Sequence, residues 1–171
     1  MFSEAVPPSL QAIDRARHLL DRIGSEAPDV LTAALAPDMF DCGTQLRTVG
    51  IFALRCTYPL CGQEWPKAMI GQDFPEGPAG LDARLALAAD QVRVLTPDDF
   101  SGAATRKVAH IAGDAHLMQT GAAYLRLFAL PNLWFHLSMA FAIARQAGLP
   151  IGKADYDGWH AYAPGFSFVE R

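Results

Sequence analysis

The sequence has few cysteines and no long uninterrupted apolar run. Its three cysteines, Cys42, Cys56 and Cys61, are an odd number at spacings that match neither a disulfide framework nor a zinc knuckle, so we interpret them as reduced thiols. The N-terminal residues lack the basic start and apolar core of a secretory signal, and each apolar run is interrupted before it reaches bilayer length. We therefore expect a cytoplasmic protein that has no membrane partner.

Clustered positive charge is also missing. Fourteen Lys and Arg are scattered among eighteen Asp and Glu, which gives a net charge of −4. Because no basic stripe is interleaved with aromatic residues, we expect no nucleic-acid partner. The 171 residues, 51% of them apolar, fit a single domain covering residues 1–171 with a sizeable core.

Apolar residues recur at helical spacing in four segments, and each segment predicts a long helix. Ser9 marks the start of the first helix and Gly24 its end, while Gly148 and Pro150 follow the fourth. Between the second and third helices, Pro, Gly and Gln predict a long ordered loop over residues 62–80. The predicted helices cover residues 9–24, 39–57, 81–95 and 131–147.

A short segment between the third and fourth helices changes its period from helical to alternating. Gly113-Asp114 suits a two-residue hairpin turn, which would pair His110 with Leu117 and Ile111 with His116. The last twenty residues are predicted to lie over the bundle as a tail without a fifth helix. The fold class is therefore mainly all-α, a four-helix bundle with a small β-hairpin between its third and fourth long helices.

Several short motifs occur between residues 10 and 158. They include Leu35-Ala-Pro-Asp-Met-Phe40, Gln45 with Arg47, Phe128-Ala-Leu-Pro-Asn132, Phe135-His136, and Gly152-Lys153 with Asp155. Together they resemble the uncharacterised domain-of-unknown-function family DUF1993, which is similar to the DinB/YfiT-like superfamily of four-helix bundles. The resemblance implies that fold but no assigned reaction, although many superfamily members are metal-dependent, including thiol-linked transferases and isomerases.

The superfamily resemblance implies a metal site of three histidines, one on the second helix and two spaced four residues apart on a later helix. This sequence departs from that pattern. No histidine lies between residues 39 and 57, and the position four residues after His136 is Ala140, which has no ligating atom. We therefore expect no metal ligands and no cofactor.

His136 lies inside an almost wholly apolar predicted helix. Burying an imidazole without a partner costs about 1–3 kcal/mol, so its ring should bond to Asp38, Gln45 or Tyr124, or face a ligand. One interpretation is a core histidine that links helices. The other is a pocket residue that binds an acidic or carbonyl group, or a general base whose tautomer is set by Asp38. Asp38 could equally cap the second helix.

Other candidates carry weaker signals. Lys153 and Asp155 suit a turn with local hydrogen bonds, or alternatively an anion contact at the mouth of the bundle. Cys42 could be a nucleophile only at a helix start, where amide dipoles lower a thiol's pKa. His110 and His116 should point to opposite faces of the hairpin, which argues against a joint metal site and favours two solvated or edge-strand histidines.

Three functional hypotheses follow. The leading one is metal-independent binding or catalysis on a small molecule in a pocket between helices, lined by His136. The second is a structural or interaction module acting as a homodimer through Trp65 or Trp159. The third is a DinB-like metal-dependent enzyme with atypical ligands around His136. The candidate ligand-binding residues are His136, Asp38, Gln45, Tyr124 and Lys153.

Overall fold

In the computed structural model, four long helices form a bundle with a hairpin between the third and the fourth. The structure describes residues 1–66, 74–163, 166, 167 and 169. Short 3-10 helices cover Pro28–Thr32, Tyr58–Cys61 and Pro97–Phe100. The other elements are α1 (Phe2–Glu26), α2 (Cys42–Thr57), α3 (Gly77–Arg93), β1 (Lys107–Ala112), β2 (Ala115–Thr120), α4 (Gly121–Tyr124), α5 (Leu130–Gln146) and α6 (Lys153–Asp157). The predicted four-helix bundle is confirmed.

Helix α1 begins seven residues before the predicted start at Ser9. Two prolines, Pro7 and Pro8, lie inside it and remove two intrahelical donors, yet the first turns pack well enough to remain helical. The ring of Phe2 meets Phe100 edge-on at 5.6 Å, and Glu4 forms an ion pair with Arg126 at 2.9 Å. These tertiary contacts therefore keep the first turns of α1 helical despite the two prolines.

Helix α2 begins three residues later than predicted because a different aspartate caps it. The carboxylate of Asp41 accepts a hydrogen bond of 2.7 Å from the backbone N–H of Thr44, which makes Asp41 the N-cap. Asp38, the residue predicted as a possible cap, lies in an exposed turn. The start of α2 is thus fixed by the second of two nearby acidic residues.

The hairpin has the predicted turn and register. His110 pairs with Leu117 and Ile111 with His116, and Gly113 in the turn has a φ of 58°, a left-handed conformation that favours glycine. The predicted 62–80 loop lies partly outside the described residues. Its described ends are Gly62 to Pro66 and the residues leading into α3, which starts at Gly77 rather than near Leu81.

The fourth long helix starts ten residues before the predicted position. It runs continuously from Gly121 to Gln146, passing through α4, a π-helical turn at Leu125–Ala129 and α5. Pro131 was expected in a first helical turn, but it lies inside this longer helix. Because Pro131 has no N–H to offer, the preceding turn widens instead of ending the helix.

This continuous helix also corrects the expectation that each apolar run is interrupted. By length and composition alone, Gly121–Gln146 could cross a membrane, since its most apolar 18-residue window has a mean hydropathy of 1.5. In the bundle it packs against α1 and α2.

The C-terminal segment contains a short helix, α6, where a tail without a helix was predicted. The carboxylate of Asp155 accepts a 2.7 Å hydrogen bond from the Gly152 N–H and thereby caps this helix. The same carboxylate bonds to His18 at 2.9 Å and to Arg22 at 3.0 Å, both on α1. These hydrogen bonds attach α6 to α1. Asp155 therefore makes tertiary hydrogen bonds in addition to the local one predicted for this turn.

Candidate functional site

The candidate site lies where α2 packs against the antiparallel helix Gly121–Gln146. Successive residues of the two helices meet along this contact, through side chains or backbone carbonyls, and we call it the α2–α5 seam. The pairs are Cys42 with Ala140, Gln45 with His136, Phe52 with Phe128 and Arg55 with Tyr124. The seam therefore brings Gln45 and Tyr124, both predicted site residues, onto one line with His136.

His136 is held in one tautomer by Gln45. Its Nδ1 lies 2.7 Å from Gln45 Oε1, while Gln45 Nε2 donates to the backbone carbonyl of Phe40 at 3.5 Å. Because the amide nitrogen is used by that carbonyl, we assign Oε1 as the acceptor and Nδ1–H as the donor. The other nitrogen, Nε2, then carries a lone pair, and the described residues supply it with no hydrogen-bond partner.

The surroundings of His136 favour the uncharged ring. Desolvation by burial lowers the pKa of His136 below its ordinary value of 6.5, and the residue is 8% exposed. Phe52 stacks on the ring at 5.3 Å and Phe40 at 6.4 Å, while Phe135 meets it edge-on at 5.2 Å. Phe40 and Phe135 are themselves 55% and 49% exposed. His136 is thus a neutral acceptor at the base of an aromatic surface.

The other predicted residues lie apart from this ring. The tautomer is fixed by Gln45 rather than by Asp38, whose side chain is exposed and has no hydrogen bond to His136. Tyr124, 1% exposed, donates from its hydroxyl to the Arg55 carbonyl at 3.0 Å, near the opposite end of the seam. Lys153 is exposed at the start of α6. The structure therefore joins only Gln45 directly to His136.

A cavity of about 570 Å³ opens at the Tyr124 end of the seam, between the end of α2, the hairpin and the chain that follows Gly62. Arg55, Trp65, Lys107, His110 and Tyr124 are among the residues that line it. Of these, only Tyr124 was predicted as a site residue. His136 lines neither this cavity nor any of three smaller ones formed by the described residues.

Of the two possibilities considered for His110, solvated or edge-strand, the structure has the second: His110 lies on an edge strand with its ring packed. Its ring packs against Phe128 at 4.2 Å and Tyr124 at 4.9 Å, and its Nε2 lies 2.8 Å from Gln119 Oε1. Its Nδ1 is buried and has no partner among the described residues. The alternation of side chains along β1 could have predicted this packing, because His110 lies on the same face of the strand as the buried Val108.

Cys42 occupies the helix start that its nucleophile hypothesis required, but it is fully buried. Its thiol points to the Ala140 carbonyl at 3.7 Å, and burial raises its pKa to about 12. Burial likewise raises the pKa of Cys56 to about 12 and that of Cys61 to about 11. Desolvation outweighs the helix dipole, so none of these groups is a thiolate at neutral pH.

The side chains present do not fit the metal site that the superfamily resemblance implies. Within residues 1–66 and 74–163, no group of three or more His, Cys, Asp and Glu side chains converges on one point. On the seam, α2 presents an amide from Gln45, and the position after His136 on the same face of α5 is Ala140. One imidazole with a neutral amide is too few ligands for a typical zinc site.

The fold and the seam together define a DinB-like helical bundle. The structure is similar to the crystal structure of a DinB family member protein from Shewanella denitrificans, with a TM-score of 0.82 over 95% of this chain and 94% of that chain, at 24% sequence identity. Within that fold, the chain belongs to the family described as Domain of unknown function (DUF1993), which it matches over residues 1–157. No curated protein matches the chain significantly.

Proposed function

We propose that this protein binds a small molecule at His136 without the help of a metal. The observation that carries the proposal is the hydrogen bond of 2.7 Å between His136 and Gln45, which leaves Nε2 as a fixed, uncharged acceptor. A ligand that offers a hydroxyl, N–H or acid proton would satisfy this nitrogen. The carbonyl ligand considered from the sequence fits less well, because the ring's only N–H is already donated to Gln45.

The aromatic residues around His136 supply the apolar part of the proposed site. Phe40 and Phe135, each about half exposed, both contact the imidazole. Aromatic surface and a directional polar group are two of the elements that small-molecule sites combine. Burial makes His136 a weaker base than a solvated histidine, and therefore binding is better supported than proton abstraction.

The test uses two ligands of which one has a hydroxyl donor and the other a methyl ether in its place. 4-Fluorophenol can donate to Nε2 and 4-fluoroanisole cannot, while both have the same ring. We expect 19F NMR titration to show at least about tenfold tighter binding of the phenol, the range for one hydrogen bond to a buried acceptor. The 15N resonance of His136 Nε2 should shift with the phenol alone.

Two variants make this test specific. His136→Phe keeps an aromatic ring but removes the acceptor, so the preference for the phenol should disappear. His116→Phe makes the same change on the exposed face of the hairpin and should leave the preference intact. Equal affinity for both ligands, or an unchanged preference in His136→Phe, would overturn the proposal.

A second candidate is the homodimer, which rests on a different observation. Trp159 is 80% exposed, and the large apolar side chains of Leu127 and Val94 are also uncovered in the single chain. Self-association through Trp159 would cover that indole. Sedimentation velocity over a wide concentration range tests it: a concentration-dependent dimer that Trp159→Ala weakens supports the candidate, and a monomer throughout rejects it.

A further inference from the structure

The cavity at the hairpin end of the seam is separate from the His136 site. The rings of Phe52 and Phe128, 6.0 Å apart, lie between the two. Its volume of about 570 Å³ falls in the range of roughly 300–1,000 Å³ that is typical of sites for small ligands. Its walls come from α2, the hairpin, Tyr124 and the chain around Trp65.

The cavity carries positive charge in an acidic protein. Arg55 and Lys107 line it, and neither forms an ion pair with a carboxylate among the described residues. Glu64 is the acidic residue of the same lining. Two cations against one acid leave a positive balance here, although the whole chain has a net charge of −4. A cavity of this charge favours an anion.

Arg55 is held in position before any ligand arrives. Its NH2 group donates to the Ile111 carbonyl of β1 at 3.1 Å, and its guanidinium carbon lies 4.9 Å from the Phe52 ring centre and 5.2 Å from that of Phe128. A guanidinium has five N–H donors in a planar fork, so further donors remain for an acceptor in the cavity. Preorganisation of this kind lowers the entropy lost on binding.

The rest of the lining offers flat surfaces. Trp65 is partly buried against the core, and His110 is fixed by its bond to Gln119 and by its contacts with Phe128 and with Tyr124, which is itself 1% exposed. Rings held in this way stack on planar apolar groups. A carboxylate matches the planar fork of an arginine better than a spherical ion does.

We propose that this cavity binds a small planar carboxylate, with Arg55 and Lys107 holding the carboxylate and the aromatic residues holding its apolar body. The proposal does not depend on His136, because Arg55, Lys107 and the aromatic residues that line the cavity have no contact with that ring among the described residues.

The experiment compares 2-naphthoate with 2-naphthamide, which has the same shape but no charge, by isothermal titration calorimetry on the full chain. We expect naphthoate to bind at least about tenfold more tightly, since a charge-assisted hydrogen bond contributes more than a neutral one. Its affinity should fall as NaCl is raised, because these cations are partly exposed. Equal affinities, or no saturable binding of naphthoate, would overturn the proposal.

Variants then locate the site. Lys107→Met changes an exposed strand residue and should weaken naphthoate binding several-fold while leaving the fold unchanged, as circular dichroism can verify. Arg55→Lys keeps the charge but loses the fork, and should also weaken binding. Arg93→Met removes a cation from the exposed face of α3, outside the cavity, and is the matched control. An equal loss in Arg93→Met and Lys107→Met would contradict the assignment.

Discussion

The hydrogen bond between His136 and Gln45 gives a sharp test of how the seam is stabilised. We predict that Gln45→Leu and His136→Phe each destabilise the fold, whereas the double variant loses much less than the sum of the two. Gln45 is 2% exposed and His136 8%, so water cannot replace either lost partner. Each single variant therefore leaves one member of the His136–Gln45 pair unsatisfied, and the double variant leaves neither. The Phe40 carbonyl loses its donor in both variants that lack Gln45, so this loss cancels in the comparison.

The magnitude follows from the burial of the two groups. An orphaned buried donor or acceptor costs about 1–3 kcal/mol, so each single variant should lower the free energy of unfolding by about that amount. For a chain of this length, about 1 kcal/mol corresponds to roughly 2–4 °C in Tm. The coupling energy from the double-mutant cycle should be at least about 1 kcal/mol, as expected for groups in direct contact.

The assay is urea unfolding followed by circular dichroism for the wild type, both single variants and the double variant. Gln146→Leu makes the same change at the exposed end of α5 and should stay within about 0.5 kcal/mol of the wild type. Additive losses, with a coupling energy near zero, would refute the reasoning, because they would mean that the two side chains do not depend on each other.

Three further predictions follow from other features. The pKa of His136 is lowered in the folded state, so the unfolded chain binds the proton more tightly. The contribution of His136 to stability is therefore complete above the ordinary pKa of 6.5 and should decline as pH falls below it. Urea unfolding at several pH values should show a smaller decline in His136→Phe. Because Cys42 and Cys56 are buried, iodoacetamide at pH 8 should label only Cys61 in the folded protein, and slowly. Mass spectrometry should find three adducts only after unfolding in guanidinium. Fast labelling of Cys42 in the folded protein would contradict its burial. Gly121→Ala places a Cβ 2.0 Å from the Ala103 carbonyl oxygen and should cost about 2 kcal/mol or more in thermal unfolding. Gly152→Ala, whose added Cβ would have no atom within 4 Å, is the control. Equal Tm values for the two variants would argue against the close approach at Gly121.

The sequence predicted the bundle because its long helices follow a regular apolar period. The hairpin register was also predictable, since a Gly-Asp turn of two residues leaves one pairing of His110 and Ile111 with the opposite strand. Helix starts were less predictable. Asp38 and Asp41 are equally good caps in isolation, and only the packing of the preceding turn decides between them.

The candidate site was predictable at one end only. His136 drew attention because a polar group in an apolar helix needs a partner, and Gln45 was among the partners considered. The cavity residues Arg55 and Lys107 gave no such signal, because a cation at the end of a helix or in a short strand is ordinary in sequence. Their convergence depends on how the hairpin folds back on α2, a contact between residues 56 positions apart.

The π-helical turn at Leu125–Ala129 sets the helical phase of the whole seam. In an uninterrupted α-helix, Tyr124 and His136 would point about 120° apart, since twelve residues exceed three full turns by a third of a turn. The wider π-helical turn rotates the chain by a smaller angle per residue than an α-helical turn does. Both side chains therefore face α2. The extra width thus acts as a one-residue spacer, and removing a single residue from this turn would separate the two ends of the seam without shortening the bundle appreciably.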